Sequence, residues 1–85
     1  MSTTVNPNLI MENNMKFQEV ESSNIHAMAH DKDTMQVQFK TGALYEYDNV
    51  KVSTYHEIVN ATSVGSSFNR LVKSKPDAYP YRRLS

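Results

Sequence analysis

A chain of 85 residues makes one small domain, and at this length only about 60% of the unfolded surface is buried on folding, so a homo-oligomer is the natural source of further burial. The absence of cysteine excludes disulfide scaffolds and thiolate metal sites. With no apolar run near the roughly 20 residues needed to cross a bilayer and no signal-peptide pattern, the expectation is a cytoplasmic protein without membrane contact. Nine basic and nine acidic side chains cancel overall, but residues 70–85 carry five positive charges and one negative, whereas residues 1–69 carry four positive and eight negative.

Residues 1–18 read as a leader, flexible or docked on a partner, and residues 19–85 as the domain. Asn6 is placed to cap a short helix with Pro7 at its first position, and Val5, Leu9, Ile10 and Met11 give the leader an apolar patch. From Glu19 the period becomes two. Ile25, Ala27 and Ala29 alternate with His26, Met28 and His30, and Met35, Val37 and Phe39 alternate with Thr34, Gln36 and Gln38, predicting two half-buried strands. His30-Asp-Lys-Asp33 supplies the turn between them; Lys40-Thr-Gly42 supplies the next, leading to a third strand at Leu44-Tyr-Glu-Tyr47. Such a sheet has one apolar face that requires a cover.

The cover is helical. Thr54-Tyr-His-Glu57 fits a capping box, with Ser53 as an alternative cap, and Tyr55, Ile58, Val59 and Thr62 recur at helical spacing to an end near Ala61. Ser63 caps a second helix whose apolar stripe is Val64, Phe68, Leu71 and Val72, and Pro76 prevents its continuation. The expected fold class is α+β: a three-stranded antiparallel meander followed by two helices packed on one face, in the order β-β-β-α-α.

The start of the second helix is the first candidate site. Its early backbone N–H groups lack helical partners, Gly65 admits a ligand without Cβ interference, Ser66 and Ser67 add hydroxyls, and Ser66, Arg70 and Lys73 share the face opposite the apolar stripe. Asn69 either reads a base edge or holds the turn. Ordinary capping chemistry accounts for the same serines and glycine. Tyr79-Pro-Tyr81-Arg82-Arg83 combines rings that stack on bases with guanidinium groups that fork phosphates; the competing reading is a tail folded back to seal a core edge. Tyr45 and Tyr47 share a strand face, fit either to stack a base or to pack against the helices. His26, His30, Asp31 and Asp33 match no ligand motif for a metal, and no nucleophile elbow, Walker loop or dinucleotide fingerprint is present, so neither a cofactor nor an enzyme activity is expected.

Val20-x-Ser-Ser-Asn-Ile25, Val37-x-Phe39, Gly42-x-Leu-Tyr-x-Tyr47, Val50, Tyr55, Ala61-x-Ser-x-Gly65, Phe68-Asn69, Leu71-Val72 and Tyr79-x-Tyr-x-Arg83, taken in order, resemble the KTSC domain. That family takes its name from the C-terminus of some lysyl-tRNA synthetases and also occurs as small free-standing proteins of bacteria and phages. The resemblance spans Val20 to Arg83 and implies RNA binding only by analogy with the synthetase attachment. The chain departs from the family pattern where Lys51 replaces a proline, Ala29-His30 a Tyr-Asp pair, and Ser67 an aromatic residue.

Three functions are carried forward. The first is a non-catalytic binding protein for a nucleotide or other small phosphorylated ligand, similar to small phage proteins that sequester cyclic-nucleotide immune signals. Its site would draw on Tyr45, Tyr47, Gly65, Ser66, Ser67, Asn69, Arg70, Lys73, Tyr81, Arg82 and Arg83. The second is an RNA-binding module, with salt-sensitive affinity from the basic pole. The third is a protein-interaction module using the leader and an open sheet edge.

Overall fold

A computed structural model describes residues 15–85. The leader's expected helix around Asn6 and Pro7 lies outside the described residues. The sheet has five antiparallel strands in sequence order: β1 (Gln18–Glu19), β2 (Ile25–Asp31), β3 (Thr34–Phe39), β4 (Leu44–Tyr47) and β5 (Tyr81–Arg83). Between β4 and β5 run α1 (Val52–Val59) and α2 (Val64–Phe68), the latter continuing as a widened π-helical turn over Asn69–Lys73. The expected α+β meander with two helices is present, but it is extended at both edges. The two added strands span two and three residues, too short for a period-two pattern to register.

The hairpin between β2 and β3 closes through Lys32 and Asp33, both with positive φ (51° and 63°), the backbone of a tight turn whose twist matches that of the strands. Gly42, at φ 99°, reverses the chain before β4, where an L-residue would be strained. At the start of β2 the register shifts: Ile25 faces Phe39, yet Ala27 faces Gln38. His26 is thereby a bulge, and the phase of the strand changes behind it. Ile25, Met28 and His30 therefore share the inner face, while Ala27 and Ala29 lie on the outer one, correcting the uninterrupted alternation expected from sequence. The bulge also separates His26, which lies 3.9 Å from Glu19, from His30, whose Nε2 donates to the Val50 carbonyl at 2.6 Å.

The core fills the space between the inner face and the helices. Met28, Met35, Val37, Val50, Ile58 and Val72 are fully buried, joined by Tyr55 and Phe68. Tyr55 is fixed at both ends, its ring stacked on His30 at 5.3 Å and its hydroxyl donating to the Met28 carbonyl at 3.1 Å. α1 begins at Val52 with Lys51 at the cap position and no side-chain cap, so the expected Thr54–Glu57 capping box does not form; both residues fall inside the helix. Ser63 does cap α2, accepting from the Ser66 N–H; of the expected stripe Val64, Phe68 and Val72 are buried, whereas Leu71 is only half-buried against the core.

Candidate functional site

Two adjoining grooves open beside the second helix. The larger, about 510 Å³, runs between the β1–β2 loop and the start of α2. Its walls are polar: Glu21, Ser22 and Asn24 on the loop, and Gly65, Ser66 and Asn69 on the helix, with Lys73 at its end. The smaller, about 270 Å³, is aromatic and lined by Phe39, Tyr45, Tyr47, Tyr81, Pro76 and, again, Lys73. Phe39 and Lys73 belong to both. Among the described residues no other cation lines either groove.

Each wall has a local cause. The tight approach of loop and helix requires Gly65, because a Cβ there would stand 3.1 Å from the Ser22 hydroxyl. That hydroxyl oxygen accepts from the backbone N–H groups of Asn24 and Ile25 at 3.2 and 3.3 Å, which shapes the loop. The glycine expected to admit a ligand thus first admits a neighbouring segment of the chain. The Ser66 N–H, expected to be free for an anion, is occupied by Ser63 Oγ at 3.4 Å. Ser67 turns into the core and lines neither groove. Where a regular helix would close, the Ser74 N–H bonds back to the Asn69 carbonyl at 2.9 Å, five residues earlier. Asn69 and Lys73 border the polar groove, whereas Arg70 is exposed and outside both.

The aromatic groove is built by β4 and β5. Tyr47 pairs with Tyr81 across the strands and Tyr45 with Arg83, which places all four side chains on the inner face. The three tyrosine rings form a graded cluster: Tyr47 is buried against Phe68 edge-on at 5.3 Å, Tyr45 is half-buried, and Tyr81 remains 55% exposed, with ring separations of 5.7 to 6.5 Å. Burial, followed by the neighbouring Tyr45 and Tyr81, pushes the Tyr47 hydroxyl up to about 12, so it stays a neutral donor throughout the ordinary pH range.

The arginines of the tail are otherwise engaged. Arg82 pairs with Glu46 and so projects on the outer face, where its guanidinium bonds Asp48 Oδ2 at 3.1 Å and also Glu46. The bond to Asp48 and the charge of Glu46 raise its pKa further. Glu46 in turn accepts from Gln36 Nε2 at 2.9 Å. Arg83 Nε donates to the Ser85 carbonyl at 3.0 Å. Of the expected site residues, the structure brings together Gly65, Ser66, Asn69 and Lys73 in one groove and Tyr45, Tyr47, Tyr81 and Lys73 in the other; Ser67, Arg70, Arg82 and Arg83 line neither. Glu21, Ser22, Ser23, Asn24, Phe39 and Pro76 also line the grooves, and sequence reasoning passed over them as site residues. The Ser22-Ser23-Asn24 run entered the sequence reading only through the family resemblance, and nothing local ties it to a helix start some forty residues later.

Comparison with known proteins agrees with this architecture. An uncharacterised protein from Stutzerimonas stutzeri strain A1501 is 32% identical over 72 residues, the alignment covering 82% of this chain and 99% of the relative. The crystal structure of a KTSC domain protein from Yersinia pestis superimposes with a TM-score of 0.75 at 27% identity, covering 84% of this chain and 99% of that one. The KTSC domain profile matches residues 21–75, from the loop that walls the polar groove to the end of the second helix, and the chain belongs to the KTSC domain family.

Proposed function

We propose that the chain is a non-catalytic binding protein for a small phosphorylated ligand that carries a planar ring, a nucleotide being the simplest member of that class. The observation behind this reading is that an aromatic groove and a polar groove share Lys73. The base stacks on Tyr81 and Tyr45, the phosphate meets the Lys73 ammonium, and the hydroxyl and amide groups of Ser66 and Asn69 receive the remaining polar atoms. Base–aromatic stacking contributes about 1–3 kcal/mol per base, and a hydrogen bond to a charged group about 1.5–3 kcal/mol. After the cost of immobilising the ligand, these two anchors suit a modest affinity that assembly into an oligomer would strengthen.

Isothermal titration calorimetry with cyclic and linear nucleotides and inorganic phosphate tests the reading. Binding should be lost in Lys73→Met and weakened roughly 5- to 150-fold in Tyr81→Ala. Failure of the folded wild-type protein to bind any member removes the proposal. An RNA-binding module is the alternative, favoured by Arg70 and Lys75, exposed cations with no ion pair among the described residues. With Arg82 neutralised by carboxylates, such binding would be weak and steeply salt-dependent. A gel shift with tRNA that persists at physiological salt would put RNA first.

A further inference from the structure

Charge is sparse around the two grooves. Lys73 is the sole cation lining either of them among the described residues, and Glu21, exposed on the β1–β2 loop, lines the same polar groove as an anion. Of the two arginines on β5, Arg82 faces the other side of the sheet in its bonds to Glu46 and Asp48, while Arg83, on the inner face beside Tyr45, donates its Nε to the Ser85 carbonyl and lines neither groove. Arg70 lies outside the grooves. A ligand whose phosphate carries a single negative charge is matched by Lys73 alone. A phosphomonoester carries about 1.5–2 negative charges at neutral pH, and a triphosphate carries more. The excess has no cationic partner in the polar groove and meets the Glu21 carboxylate there.

We infer that this site prefers nucleotides with a singly charged phosphodiester, such as cyclic mononucleotides, over mono- and triphosphates, and that Glu21 enforces the preference by repulsion. The inference rests on the nucleotide-binding reading above and narrows it to one charge class. The ring still enters the tyrosine cleft, so the discrimination lies in the phosphate and not in the base. No residue of the site needs to recognise the cyclic ester as such, because the ligand's charge supplies the distinction.

The test is calorimetry with cyclic AMP, AMP and ATP at about 20 and 300 mM NaCl, on the wild-type protein and on Glu21→Gln, with circular dichroism to verify folding. At low salt the expected order of affinity is cyclic AMP, then AMP, then ATP, with a gap of roughly tenfold between the extremes that shrinks at high salt, where exposed charges are screened within several ångströms. Glu21→Gln should improve ATP binding about three- to tenfold while changing cyclic AMP binding less. ATP binding as tightly as cyclic AMP, or a gap between the two left unchanged by Glu21→Gln, overturns the charge selection while leaving nucleotide binding in place. Absence of binding by all three at low salt overturns both.

Discussion

Single residues at the groove carry separable duties. Gly65 is needed for fit, since a Cβ there would press on Ser22 Oγ at 3.1 Å. Gly65→Ala presses the Ser22 hydroxyl away from the Asn24 and Ile25 N–H groups it accepts from, whereas Gly65→Val pushes the loop itself; thermal denaturation should show a loss for alanine and a larger one, about 1–3 kcal/mol, for valine. Ser66 and Ser67 are adjacent but differ in environment. Ser67 is 7% exposed and Ser66 is on the groove, so Ser67→Ala should leave ligand affinity unchanged in calorimetry while Ser66→Ala weakens it by a few fold. Tyr47 adds a pH signature. Its hydroxyl ionises near 12 in the folded protein and near 10 when unfolded, so the unfolded state loses its proton first. The stabilisation is complete below about pH 10 and is lost as pH rises towards 12, and denaturant melts across that window should show a fall that Tyr47→Phe flattens.

At the scale of elements, β5 joins the inner-face Tyr81 to the outer-face Arg82, and the strand is only three residues long. Its pairing rests on main-chain bonds such as Leu84 N–H to the Leu44 carbonyl at 2.7 Å and on Arg82 bridging Glu46 and Asp48. Replacing both carboxylates, Glu46→Gln with Asp48→Asn, should raise amide hydrogen exchange across residues 81–84 while exchange in β2 and β3 stays as in the wild type. Sequence reading found β2, β3, β4 and both helices because each has several residues of regular period. β1 and β5 escaped it because two or three residues define no period, and the faces of β2 were misassigned because one bulged residue, His26, resets the alternation without leaving a compositional mark. Half of the candidate site was legible in the same way. Gly65, Ser66, Asn69 and Lys73 lie on one helix, but their partners on the β1–β2 loop meet them only through tertiary packing, and the direction taken by Arg82 follows from strand pairing that the tail's composition does not encode.

For the whole molecule, one layer of helices covers one face of the sheet, and stability depends on a short roster of fully buried side chains. Ile58 is among them, so Ile58→Ala should cost about 2–5 kcal/mol in chemical denaturation, a large share of what a domain this small possesses. The architecture also gives the widened turn at Asn69–Lys73 a meaning beyond local geometry. Where Ser74 bonds five residues back to Asn69, the chain carries one residue more than an ordinary helical turn would hold. Removing that surplus would let the helix close regularly and rotate the downstream residues by about 100°. Lys73 would leave the junction of the two grooves and Val72 its place in the core, while Val64 and Phe68, upstream, would keep theirs. A single-residue deletion there should therefore disturb the groove junction and the core together, which chemical denaturation of the deletion variant would show as a loss of stability.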